Sequence, residues 1–212
     1  MTGPRVSGAT GRTDVSGPHG VLISGENRAS VRELRPAVFL DRDGTLIVDK
    51  HYLREPDEVQ LMPDAANLVR KLNYMLYPAI VVTNQSGIAQ GLLTEADYDA
   101  VRRRVDDLIS ERGAFIDQHY HCPHHPDFTG PCGCRKPGTV LYERAVVEHA
   151  INPAMSLWIG DRWRDIAPAL HFSGRGILVP TAETPPEEIE QARAQCEVAE
   201  NLLDVIHHLP GR

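Results

Sequence analysis

Asp41-Arg42-Asp43-Gly44-Thr45-Leu46 sets two carboxylates at i and i+2, directly after the apolar run Ala37-Val38-Phe39-Leu40 and just before a glycine able to turn the chain. In extended backbone, residues two apart point to the same side. Two acids so placed repel each other, and a divalent cation would relieve the repulsion while leaving one carboxylate free as a nucleophile. A solvated acidic turn is the plainer alternative, and Asp-x-Asp-Gly also opens calcium loops. A calcium loop would close on a Glu at its twelfth position, which here is Tyr52.

Three more clusters carry chemistry of a related kind. Thr83-Asn84-Gln85-Ser86-Gly87 offers hydroxyl, amide and backbone N–H donors suited to phosphoryl oxygens, although the same residues make good turns. Gly160-Asp161-Arg162-Trp163-Arg164-Asp165 again puts an acid after an apolar run, where an Asp also serves as a helix cap. Cys122-Pro123-His124 and Cys132-Gly133-Cys134 supply three thiols and one imidazole. That is a closed tetrahedral Zn²⁺ set with no position left for water, hence structural rather than catalytic. Three buried free cysteines would be the other reading, but Pro126, Gly130 and Pro131 leave the loop little apolar mass to hold it. His121 and His125 flank the set and could replace His124, while Cys196 stands apart as a small buried residue.

The elements that must position these groups follow from the hydrophobic pattern. Ala37–Leu40, Ala79–Val82, Ser156–Ile159 and Gly176–Val179 read as strands buried on both faces, with a fifth over Phe115–Tyr120. Ala65, Leu68, Val69, Leu72 and Leu76 follow helical spacing, and Thr94 caps a helix whose stripe is Tyr98, Val101, Val105, Leu108 and Ile109. Further helices are predicted over 139–150, 163–172 and 186–195, and Asn201 caps a last one through His208. Strands alternating with helices imply an α/β fold, a Rossmann-like three-layer parallel sheet with helices on both faces, whose ligands gather at the carboxyl ends of the strands. Residues 1–34 are rich in Gly, Ser, Thr and Arg without periodicity and predict a disordered tail, leaving 35–212 as one domain with its zinc loop at 122–134.

A net charge of −7 argues against nucleic-acid or anionic-membrane partners. No apolar run approaches the roughly 18 residues of a membrane span, and the first 30 residues lack a signal-peptide core. The cysteine spacing suits a metal better than a disulfide framework. A cytoplasmic monomer is expected.

In order, Asp41-x-Asp43, Thr83, Lys136 and Gly160-Asp161-x-x-x-Asp165 resemble the four motifs of the haloacid dehalogenase superfamily, over residues 36 to 180. A second Asp two positions after the nucleophile is typical of its phosphatase branch. The resemblance implies that Asp41 attacks phosphorus, that Asp43 acts as general acid and base, and that Thr83 and Lys136 hold the transferring phosphoryl group. It implies Mg²⁺ on the Asp41 carboxylate, the Asp43 backbone carbonyl and Asp161, with Asp165 as a supporting partner. The Cys-x-His…Cys-x-Cys loop before Arg135-Lys136-Pro137 is similar to a subfamily without a large cap domain that acts on heptose bisphosphates, close to the histidinol-phosphate phosphatases. There Asp49, Tyr52, Asn84, Gln85, Ser86, Arg135 and Arg162 would contact a small phosphorylated sugar, Arg135 reaching a second phosphate. Lys50-His51 and Gly138-Thr139 depart from the subfamily pattern at the substrate rim. A zinc-braced binding module without activity is the alternative from another class.

Overall fold

Thr94 stands just before a 16-residue helix and accepts a hydrogen bond from the Asp97 N–H, while the Asp97 side chain bonds back to the Thr94 N–H. This capping box fixes one wall of the molecule as the sequence foretells. In the computed structural model, which describes Gly3 and residues 33–209, helices of this kind cover a parallel sheet. All but Gly3, Glu33 and Leu34 of the expected tail falls outside the described residues.

The strands are β1 (Val38–Leu40), β2 (Ala79–Asn84), β3 (Gln118–Cys122), β4 (Leu157–Gly160), β5 (Arg175–Leu178) and β6 (Glu197–Val198), in the order β3-β2-β1-β4-β5-β6. Every pairing is parallel. The chain winds outward from β1 to β3, then crosses back and winds the other way from β4. The direction therefore reverses between β1 and β4, and the crevice beyond their carboxyl ends is where such sheets bind ligands.

Strand alternation divides the core. Val38 and Leu40 pack with Val81 against α1 (Ala65–Tyr74), α2 (Glu95–Ser110) and α8 (Leu202–His208). Phe39 and Ile80 face the opposite way, onto α4 (Val140–Glu148). There Phe39 stacks on Trp158 of β4 at 4.7 Å and meets Tyr142 edge-on at 5.2 Å. Each aromatic pair adds about 0.5–1.5 kcal/mol beyond its buried area, and together they clamp the segment that ends at Asp41. Short helices α3 (Pro126–Thr129), α5 (Trp163–Ile166) and α6 (Pro168–His171), with α7 (Pro186–Gln195), complete the set. Among the described residues no helix is long and apolar enough to cross a membrane.

Three boundaries differ from the sequence reading. The β3 strand starts at Gln118 rather than Phe115, because Asp117 makes the first contact, its N–H to the Ala79 carbonyl and its carboxylate to the Ala79 N–H. The helix predicted over 163–172 is two helices broken at Ala167, since Pro168 carries no N–H to continue it. The edge strand β6 was not foreseen: it is two residues long, and its Glu197 is fastened to Arg175 of β5 at 2.8 Å rather than by an apolar run.

Candidate active site

Asp41 follows the last residue of β1, and its N–H still donates to the Ile159 carbonyl of β4. The chain then wraps around the Arg42 carbonyl, which accepts from the N–H groups of Leu46 and Ile47 at 2.9 and 3.0 Å. Gly44 is required in this turn for two reasons. Its φ of +85° suits glycine, and a Cβ there would lie 2.5 Å from Asp161 Oδ2. A Cβ at Gly160 would likewise sit 2.2 Å from the Cβ of Asp165. These two glycines let β1, β4 and the turn after β4 bring their acids to one point.

At that point the carboxylates of Asp41, Asp161 and Asp165, all buried, lie within 4.8 Å of one another. Lys136 is the one ammonium among them. Its Nζ donates to Asp41 Oδ1 at 2.5 Å and to the Val82 carbonyl at 2.7 Å, and pairs with Asp165 Oδ1 at 2.8 Å. Three acids against one lysine leave negative charge uncompensated. Burial, then Asp165, raise the Asp41 carboxyl to about 7. Burial, then Asp41 and Asp165, raise Asp161 to about 8. Asp161 Oδ1 has no hydrogen-bond partner among the described residues. Hard oxygen donors, crowded like charge and an unmet acceptor fit a small divalent cation.

Asp43 is not part of that acid cluster. The strand ends at Leu40 and the chain bends at Arg42, and the Asp43 carboxylate takes other partners. Arg42, itself buried beneath the Tyr98 ring, forks onto it at 3.0–3.2 Å. Gln85 Nε2 donates to it at 2.9 Å and Thr83 Oγ1 at 3.4 Å. Asp41 and Asp43 nevertheless line one cleft of about 500 Å³.

All the residues expected at the substrate line this cleft: Asp49, Tyr52, Thr83, Asn84, Gln85, Ser86, Arg135, Lys136 and Arg162. Their connections refine several roles. Asn84 spends its amide on the backbone of Lys136, accepting from its N–H at 2.9 Å and donating to its carbonyl at 3.3 Å. It thereby splices β2 to the loop that delivers the lysine. Arg162 is forked onto Glu188 of α7 at 2.8 and 3.1 Å, and Glu188 also accepts from the Trp163 N–H. Asp165 stands in the cluster with Asp41 and Asp161 and pairs with Lys136 at 2.8 Å. The sequence reading gave no role to Arg42, Arg164 and Glu188. Arg42 could have been found as the cation between two acids, whereas Glu188, one acid of an amphipathic helix, gave no local signal.

Cys122 ends β3, and the loop beyond it returns Cys132 and Cys134 to its side together with His124. The sulfur–sulfur separations are 3.0, 3.4 and 3.6 Å, and His124 Nδ1 lies 3.1 Å from Cys134 Sγ. With metal–sulfur bonds of about 2.3 Å, a tetrahedral edge is roughly 3.8 Å, so the four groups can close on one ion. The flanking histidines are committed elsewhere. His121 bonds Glu95 and lies against Tyr98, and His125 caps α3.

A parallel sheet with a buried Asp after its first strand, a lysine on that Asp and acids after the fourth strand is the arrangement of a haloacid dehalogenase-like hydrolase. The family model described as HAD-hydrolase-like matches residues 133–205. The D-glycero-beta-D-manno-heptose-1,7-bisphosphate 7-phosphatase of Yersinia pestis is 39% identical over 163 residues, covering 74% of this chain and 87% of that protein. The Escherichia coli K12 protein of the same name is 38% identical over 165 residues, covering 74% and 85%. A solved D,D-heptose 1.7-bisphosphate phosphatase from B. bronchiseptica, complexed with magnesium and phosphate, superposes with a TM-score of 0.74 at 28% identity, over 82% of this chain and 97% of that one. The chain belongs to this heptose-bisphosphate phosphatase family of the haloacid dehalogenase superfamily.

Proposed function

We propose that this chain hydrolyses the 7-phosphate of D-glycero-D-manno-heptose 1,7-bisphosphate, with Asp41 as the nucleophile. The observation that carries the reading is the meeting of Asp41, Lys136 and Asp43 in one cleft whose walls also carry Arg135, Arg162 and Arg164. The cationic lining favours a substrate with two phosphates over histidinol phosphate, whose amine would seek acids.

Asp41 attacks phosphorus, the bond to the sugar oxygen breaks, and Asp43 in its acid form gives that oxygen its proton. Asp43 then takes a proton from water, which attacks the aspartyl-phosphate, frees inorganic phosphate and restores Asp41. The Arg42 fork and Gln85 fix the direction in which Asp43 presents its carboxyl group. Thr83 and Lys136 hold the phosphoryl oxygens, and Asn84 holds Lys136. The Asp41 carboxylate, the Asp43 backbone carbonyl and Asp161, with Asp165 beside them, would hold Mg²⁺, which would supply positive charge against the developing charge on the phosphoryl group. Cys122, His124, Cys132 and Cys134 would hold a structural Zn²⁺, which would brace the loop that ends in Arg135 and Lys136. Thiolate ligands of this kind suit a reducing compartment, and we assign the reaction to the cytoplasm.

The test is phosphate release from heptose 1,7-bisphosphate, with histidinol phosphate as the rival substrate. Asp41→Asn should abolish turnover while keeping the fold, because an amide is a poor nucleophile. Wild-type turnover by this variant with Mg²⁺ present would remove the covalent mechanism.

A further inference from the structure

Five cationic side chains line the cleft, and most of their hydrogen-bonding capacity is already taken. Arg42 is forked onto Asp43. Lys136 donates to Asp41 and to the Val82 carbonyl and pairs with Asp165 at 2.8 Å. Arg162 presents Nε and one terminal nitrogen to Glu188. Arg135 makes one bond, at 3.3 Å, to the His124 carbonyl.

Arg164 differs from all of these. Its Nε is shielded from solvent yet has no hydrogen-bond acceptor among the described residues, and its nearest carboxylate contact, to Asp165, is 3.9 Å. The side chain as a whole is 43% exposed and lines the cleft. A guanidinium offers five donors in a planar fork matched to phosphate oxygens, and a shielded N–H without an acceptor is costly until a ligand supplies one.

Building on the bisphosphate reading above, we propose that Arg164 is a specificity residue that joins Arg135 in gripping the phosphate that is not transferred. The chemistry it recognises is a second phosphate dianion on the sugar, delivered to the spare face of the guanidinium. Nothing in the reaction at Asp41 needs that contact, so its effect belongs to orientation and binding of bisphosphates.

The competing role is purely electrostatic. Arg164 also lies close enough to Asp161 and Glu188 to stabilise their charges, and in that role it would serve every substrate alike. The experiment compares wild type, Arg164→Ala, Arg164→Lys and Arg135→Ala on heptose 1,7-bisphosphate and the matched 7-phosphate at saturating Mg²⁺. Arg164→Ala should lower kcat/KM for the bisphosphate roughly tenfold to a hundredfold, mainly through KM, and for the monophosphate less than threefold. Arg164→Lys should recover part of the loss. Equal losses on both substrates, or no loss on either, would overturn the proposal. If the wild type releases no phosphate from the heptose, the sugar assignment fails, and the same comparison on fructose 1,6-bisphosphate and fructose 6-phosphate still decides the role of Arg164.

Discussion

Lys136→Ala removes the only ammonium from a buried group of three carboxylates, and the structure sets the size of the effect. Lys136 is 3% exposed, pairs with Asp41 and Asp165 at 2.5 and 2.8 Å, and bonds the Val82 carbonyl at 2.7 Å. Deleting one partner of a buried ion pair costs about 3–5 kcal/mol, chiefly because the remaining charge is stranded. A domain of this size loses roughly 2–4 °C per kcal/mol, so without Mg²⁺ the melting temperature should fall by about 6–20 °C. Mg²⁺ should raise the variant more than the wild type, since the ion replaces the missing positive charge; saturation at a hundred times Kd is worth about 2.7 kcal/mol. Turnover should not return with stability. A donor aimed at the charge developing on the phosphoryl group is worth a factor of about 10²–10³ in kcat. Thermal melts with and without Mg²⁺, followed by phosphate release at 25 °C, measure both parts. A variant melting within about 2 °C of wild type without Mg²⁺ would refute the claim that Lys136 neutralises the acid cluster.

Two other outcomes follow from the same geometry. Protein prepared without added zinc should hold about one tightly bound Zn²⁺ per chain, and Cys132→Ser should lose the metal, melt earlier and turn over more slowly; metal analysis of reduced protein that finds no ion would remove the zinc assignment. In Mg²⁺-free protein, Asp41 and Asp161 titrate near 7 and 8 in the fold against 3.8 when unfolded, so between those values the native state binds more protons and stability falls as pH rises. Urea midpoints from about pH 5 to 8.5 should therefore decline without Mg²⁺ and flatten with it, and a rise across that window in the metal-free protein contradicts the crowding argument.

Much of this protein could be read in one dimension. Buried parallel strands are short apolar runs, and β1, β2, β4 and β5 were found within a residue or two because both faces of each are covered. The capped helices α2 and α8 were equally legible, since Thr94 and Asn201 act on residues three positions away. So were the Cys/His cluster, whose members lie in one short segment, and the acids at strand ends. What the chain order could not show is which groups share partners. The separation of Asp43 from the other acids depends on the bend at Arg42 and on the partners, Arg42 and Gln85, that take its carboxylate. The Asn84 splint to Lys136 spans 52 positions and the Glu188 hold on Arg162 spans 26. Each is a directional hydrogen bond of about 3 Å between elements remote in sequence, and such a bond exists only once the sheet has set their distance and angle. Residue type and spacing thus determined which chemistry was available, while tertiary packing decided which side chains were already engaged and which, like Arg164, were left with donors to spare.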